Sequence, residues 1–418
     1  MLTLRRFTRL YLTLSLHKLL TLFFVLILLS SSSLAKSTKL KPGYWHCQLM
    51  LSESYHLPFI MKYDKKDGCF SIFNGSEEIS LRNYYPYSDS LVIPFDVFKS
   101  EIRVKAKGKK TVSGFWYNME RKGNYKIPIS GKFMKVPSRY AVENALINVA
   151  GRWEVRFDPK GDNDLAIGLF EQSGINKVSG TFLTETGDYR FLEGATLNDS
   201  LYLSTFDGSH AFLFGAALIE DTLRGLFKSG IHYEVDWIAF KNDEIELRDP
   251  DSLTYLVNDK PVSFELPDLN GGMYTFPNKE SEGKVTIIQI MGTWCPNCWD
   301  ESVYLKSLSD KHGDDLNIVA VTFETPETME EKIAKVVSYK ANLGLEYTFV
   351  IGGNACKPCA NELFPQLNKV ISFPTMIVLD KEGMVRKIHT GFNGPGTGHY
   401  YTSLVNSTNT FIQSLINE

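Results

Sequence analysis

The sequence predicts a multidomain chain: an all-β, internally duplicated N-terminal region, barrel or sandwich, followed by an α/β domain. Three observations carry that reading. Short alternating apolar stretches bounded by turn residues fill residues 36–245. Landmarks within that region recur about 110 residues apart. Beyond residue 257 strand and helix patterns alternate. At 418 residues, 43% hydrophobic and 22% charged, the chain has room for two or three globular domains. A net charge of −3 gives no support for nucleic-acid or anionic-membrane binding.

Residues 1–35 read as an export signal. Arg5, Arg6, Arg9 and Lys18 precede the apolar run Leu19 to Leu29, and small residues with Ser33-x-Ala35 follow as a cleavage site. The run is shorter than the roughly 20 residues a spanning helix needs. The expected location is periplasmic or otherwise extracytoplasmic, with retention as a membrane anchor the alternative.

The first β repeat is placed at 36–140 and the second at 141–245. "YWHCQLML", "SLVIPF" and "LYLSTF" alternate as half-buried strands do, and "KDG", "NGS" and "ETGD" mark turns. Gly43-Tyr44-Trp45 recurs as Gly151-Arg152-Trp153, Asp89-Ser90-Leu91 as Asp199-Ser200-Leu201, and "TVSGFW" as "TLRGLF". One stretch, "RYAVENALINVA" (139–150), carries helical period. The acidic segment around Pro250, placed at 246–257, reads as a linker.

The third domain is placed at 258–418. "KVTIIQIMG" is a buried strand and 296–312 a helix. Strand "NIVAVTFE", helix "TMEEKIAKVVSYKANLG", strand "YTFVIGG" and a short helix near 359–367 follow. Strands "TMIVLD" and "MVRKIHTG" flank the turn "KEG", and a last helix fills about 400–416. Strand–helix alternation that ends in a hairpin is the order of the thioredoxin fold.

At the first strand–helix junction stands Cys295-Pro296-Asn297-Cys298. A cysteine at a helix start meets unpaired amide N–H groups and the positive end of the helix dipole, which favour a thiolate. Cys295 is therefore the attacking sulfur and Cys298 the resolving one, with Trp294 as a shield. "ISFPT" precedes a later strand, and Pro374 after Phe373 suits a cis bond. Phe373, Pro374 and Thr375 are expected to offer a substrate-binding edge. Half a zinc site is disfavoured, because the second Cys-x-x-C lies much farther away than the usual spacing of about 15–20 residues.

On the lead-in "VSFELPDLNGGMYTF", then "GTWCPNC", "FPT" and the strand–helix insertion at 317–344, residues 255–418 resemble the TlpA/ResA-like group of exported disulfide reductases. The resemblance implies a reductase of protein disulfides, disulfide-bearing client proteins and a membrane electron donor. It also implies a carboxylate beneath the dithiol. Small thioredoxins carry an Asp six residues before the first Cys, where this chain has Gln289; ResA-like proteins carry a Glu where this chain has Glu301. Burial would raise that carboxyl toward neutrality and let it take the proton of Cys298. A peroxiredoxin would need Pro and Thr or Ser ahead of the cysteine, where this chain has Ile288 and Gly292.

Four cysteines remain. Cys356-Lys357-Pro358-Cys359 is a structural disulfide, a second redox pair or two free thiols. Cys47 and Cys69, in neighbouring β segments of an exported chain, are expected to form a disulfide, with buried free thiols the alternative. The eight histidines lack HxH or HxxxH spacing, so neither a metal nor another cofactor is expected. "HTGFNGPGTGHYYT" (389–402) is expected as a loop beside the proline edge, and the tryptophans of the β region as core.

Overall fold

The computed structural model describes residues 40–142 and 145–418. The export-signal reading of 1–35 lies outside the described residues. Among them, no helix is long and apolar enough to cross a membrane.

The N-terminal region folds as two antiparallel sheets, one per repeat. In the first, strand Gly43–Met50 pairs with His56–Asp64 on one side and with Lys126–Met134 on the other. Hairpins carry the sheet outward to edge strands Glu77–Leu81 and Tyr85–Tyr87. These edges are consecutive in the chain, so the nine strands roll into a barrel with one unpaired seam. In the second sheet, Asp164–Ser173 pairs with both Gly151–Phe157 and Lys177–Thr184. Pairing then continues through consecutive hairpins to Tyr233–Lys241 and back to Gly151–Phe157, which closes the ring. Period-2 alternation sets the interiors: Trp45, Cys47 and Leu49 point inward from the first strand of one barrel, Trp153, Val155 and Phe157 from that of the other.

The repeated landmarks occupy equivalent places. The Trp45 indole donates to the Lys41 carbonyl and that of Trp153 to the Val149 carbonyl, each four residues back. Gly43 and Gly151 both hold positive φ, 120° and 113°. Trp45, Trp116, Trp153 and Trp237 all fill core.

The described part of 139–150 contains no helix. Its polar groups bond mainly to the barrels, with one local contact from the Ala150 N–H to Asn148 Oδ1. Arg139 is buried and donates to the Ser204 carbonyl at 2.6 Å, to Asn74 Oδ1 at 3.2 Å and to the Phe73 carbonyl. The Val149 N–H is held by Gln172 Oε1 at 2.9 Å. These tertiary partners outweigh a weak helical preference.

Cys47 and Cys69 are free and buried, which corrects the expected disulfide. Cys47 lies opposite Phe59, and the next register pair outward, Ile60 with Phe73, puts Asn74 level with it. Cys69 sits two strands across and five residues along, roughly 10 Å by 17 Å. A disulfide needs Cα atoms within about 7 Å.

The segment expected as a linker is docked. Asp249 caps the single turn Pro250–Leu253, whose Leu253 is buried. Asp251 pairs with His389 Nδ1 at 2.6 Å and Lys387 at 2.8 Å on the last strand.

The C-terminal sheet runs Thr348–Asn354, Leu316–Glu324, Val285–Met291, Thr375–Leu379, Val385–Thr390. The first three strands are parallel and the last two antiparallel. Every residue of central strand Val285–Met291 is buried, which is why it reads as a continuous apolar run. Helices Pro296–His312, Met329–Leu343, Lys357–Leu363 and His399–Asn417 cover it. This is the thioredoxin-like arrangement expected.

Candidate active site

Strand Val285–Met291 ends at the sheet edge, and four residues later Cys295 caps helix Pro296–His312 with extended backbone, φ −100° and ψ 116°. Gly292 permits the tight junction: a Cβ there would lie 2.3 Å from Trp294 Nε1. The Trp294 indole instead donates to the Phe323 carbonyl at 2.9 Å. Cys295 Sγ accepts from the Cys298 N–H at 3.4 Å and donates to the Phe373 carbonyl, also at 3.4 Å. Pro296 takes the first helical position, where a missing N–H costs nothing.

Phe373–Pro374 is a cis peptide. Phe373 stacks edge-on to Trp294, with ring centroids 5.8 Å apart. Cys295, Cys298, Trp294 and the Phe373–Pro374 bond therefore meet in one place. Thr375 is also near, but its side chain is buried and its hydroxyl donates to the Ser372 carbonyl.

Below the dithiol, Glu301 is buried, with Oε2 accepting from Gln289 Nε2 at 2.9 Å and Oε1 left without a hydrogen-bond partner. Burial pushes its carboxyl up to about 8. Burial, with Cys295 and Glu301 adding to it, also raises the Cys298 thiol well above its ordinary value. Burial thus favours the neutral form of both groups, which lie three residues apart on helix Pro296–His312. Cys356 and Cys359 are joined as a disulfide. Among the described residues no cluster of three His, Cys, Asp or Glu side chains is placed to hold a metal ion.

The residues that sequence reasoning missed come from the β barrels. Arg190 is buried and donates to the Pro296 carbonyl at 3.0 Å and Asp300 Oδ2 at 2.6 Å, and to Glu77 of the first barrel. It also lies 3.6 Å from Asp207 and 4.9 Å from the Trp299 ring. Burial, to which the charges of Asp188 and Glu77 add, outweighs the lowering effect of Arg190 and pushes the Asp300 carboxyl up to about 7. Nearby, Asn297 Nδ2 donates to the Asp188 and Phe392 carbonyls, and Ser372 Oγ to the Thr186 carbonyl at 2.9 Å. The barrels thus sit on the dithiol face, and Cys295 is only 8% exposed. A cavity of about 890 Å³ remains between the second barrel's aromatic mouth, with Tyr189, Phe212 and Phe227, and Trp294, Asn297 and Phe373. Nothing local in "GDYRF" distinguishes Arg190 from an ordinary strand arginine.

Residues 256–404 match the Redoxin family. The chain is 26% identical over 128 residues to the thioredoxin-like protein YneN of Bacillus subtilis, covering 31% of this chain and 68% of that one. It is 26% identical over 175 residues to the thiol:disulfide interchange protein DsbE of Allochromatium vinosum, covering 40% and 84%. It is 27% identical over 134 residues to the thiol-disulfide oxidoreductase ResA of Halalkalibacterium halodurans, covering 32% and 68%. Residues 256–404 therefore form a Redoxin domain, and the relatives they resemble are a thioredoxin-like protein and thiol-disulfide oxidoreductases.

Proposed function

We propose that the protein reduces disulfides of client proteins outside the cytoplasm through Cys295 and Cys298. The observation that carries this reading is the meeting of a helix-capping Cys295 with the Phe373–Pro374 edge above a buried Glu301. Cys295, as thiolate, attacks one sulfur of the client disulfide and the other leaves as a thiolate. Cys298 then loses its proton toward Glu301 and attacks Cys295 Sγ, which releases the reduced client and leaves Cys295–Cys298 oxidised. Trp294 and Phe373 flank the incoming chain, whose backbone lies along the Phe373–Pro374 peptide. A membrane dithiol donor resets the pair. The export-like N-terminal sequence supports the location, and the domain division at 36–140, 141–245, 246–257 and 258–418 belongs to the same proposal.

A second reading assigns the β region to client or envelope-ligand binding, with the Redoxin domain acting as oxidase or isomerase. The barrel wall of the 890 Å³ cavity beside Trp294 favours it. Reduction of insulin by the full chain tests the first reading. Wild type is expected to precipitate the insulin B chain and Cys295→Ser to lose that activity. Equal activity in the two would refute the assignment, and net oxidation of a reduced protein by wild type would favour the second reading.

A further inference from the structure

Cys356 and Cys359 occupy a place that a stiffening loop disulfide does not require. Strands Val285–Met291 and Thr348–Asn354 are parallel, with Leu316–Glu324 between them, and end at the same sheet edge. Cys295 follows the first by four residues and Cys356 the second by two. Two strand spacings, roughly 10 Å, separate the strands that carry the two pairs.

Glu324, at the end of the intervening strand, joins both loops. Its carboxylate accepts from the Thr293 N–H at 2.9 Å and the Thr293 hydroxyl at 2.6 Å, beside Cys295. Its carbonyl accepts from the Ala355 N–H at 2.9 Å, beside Cys356. The Phe373 carbonyl holds Cys295 Sγ, and the side chains of Phe373 and Cys359 pack against the same apolar cluster. Lys357 lines the same cavity as Trp294 and Phe373.

The second pair is also chemically poised. Both sulfurs belong to half-buried residues, and the intervening Lys357 is exposed. A nearby ammonium favours a thiolate, and a lower-pKa sulfur leaves faster. Cys356 Sγ accepts from the Cys359 N–H at 3.0 Å, which marks Cys356 as the leaving sulfur and Cys359 as the one attacked.

We propose that Cys356–Cys359 is a second thiol–disulfide exchange centre that accepts two electrons from the reduced Cys295/Cys298 pair within the same chain. The proposal rests on the exchange reading of Cys295 and Cys298 given above. The short connection through Ala355 and Cys356, between strand Thr348–Asn354 and helix Lys357–Leu363, closes over Trp294, and Cys295 thiolate attacks Cys359 Sγ. The Cys356–Cys359 bond breaks, a Cys295–Cys359 bond forms, and Cys356 leaves as a thiolate and takes a proton. Cys298 then gives up its proton and attacks Cys295 Sγ, which releases Cys359 as a thiolate that is protonated in turn. Cys295–Cys298 ends as a disulfide and Cys356/Cys359 as a dithiol, with two electrons and two protons transferred.

The test uses the full chain oxidised at both pairs, treated with limiting dithiothreitol, alkylated at intervals and assigned by peptide mass spectrometry. Opening of Cys356–Cys359 is expected to slow by about tenfold or more in Cys295→Ser, because an intramolecular thiol is present at millimolar effective concentration. Cys295→Ala, run alongside, guards against a misfolded serine variant. In Cys298→Ser, where the mixed disulfide cannot be resolved, a Cys295–Cys359 cross-linked peptide is expected in monomeric protein. Equal opening rates with and without Cys295 would overturn the proposal. Insulin turnover separates the two readings. Turnover with a Cys295-independent opening rate sinks the internal transfer alone. Cys295-dependent opening without insulin turnover sinks the client-reductase reading and supports the transfer.

Discussion

Glu301 is a carboxyl kept neutral by burial, and that has two separable consequences. Its value rises from the ordinary 4.5 to about 8 on folding. Between those limits the folded chain holds a proton that the unfolded chain has lost. Stability therefore falls as pH rises from about 4.5 through 8, by an amount on the order of a few kcal/mol. Glu301→Gln is expected to flatten that part of the curve and to be the more stable protein above pH 8, as urea unfolding at several pH values would register. The same variant is expected to lose its rate increase through about pH 8 and to resolve mixed disulfides on the order of a hundredfold more slowly. If quenched-flow trapping found the two proteins alike, Glu301 would be packing only. Cys298→Ser should accumulate a covalent adduct between Cys295 and a client, visible as a reducible higher band on a gel. No adduct under those conditions would take the attacking role from Cys295.

At the scale of elements, the strand–helix junction depends on Gly292. Gly292→Ala would place a methyl against Trp294 Nε1 and 2.9 Å from the Phe323 carbonyl. Trp294 would have to give up its hydrogen bond, at a cost of about 1–3 kcal/mol. Altered tryptophan fluorescence and slower insulin reduction are expected, and an unchanged spectrum and rate would mean that the junction adapts freely. This junction was legible in the sequence because everything that makes it is local: a buried apolar strand, a glycine, and a Cys-Pro-Asn-Cys helix start. The alternation of elements after residue 257 was legible for the same reason. Barrel and sandwich share a period of two, so closure of the second sheet through Asp164–Ser173 could not be read from alternation. Segment 139–150 misled because Arg139 and Gln172, a residue outside it, decide its conformation.

For the whole molecule, the governing feature is that the β barrels are fastened onto the dithiol face. Arg190 reaches Pro296 and Asp300 from more than a hundred residues away in sequence, so no local pattern announces it. It answers three buried carboxylates, Glu77, Asp207 and Asp300. Arg190→Met would remove the cation they share, leaving Asp207, among basic side chains, only its contact with His210, and is expected to cost about 3–5 kcal/mol. The interface should loosen before either unit unfolds, and Cys295 should alkylate faster with iodoacetamide while the far-ultraviolet circular dichroism is retained. Unchanged alkylation would mean that the barrels do not control access.

The measurement that bears most directly on the central claim is the reduction potential of Cys295/Cys298 in the full chain, equilibrated with glutathione or dithiothreitol buffers. A reductase of client disulfides predicts a value of about −250 mV or lower, in the range of thioredoxin. A value of about −120 mV, that of a disulfide-forming oxidant, would contradict it.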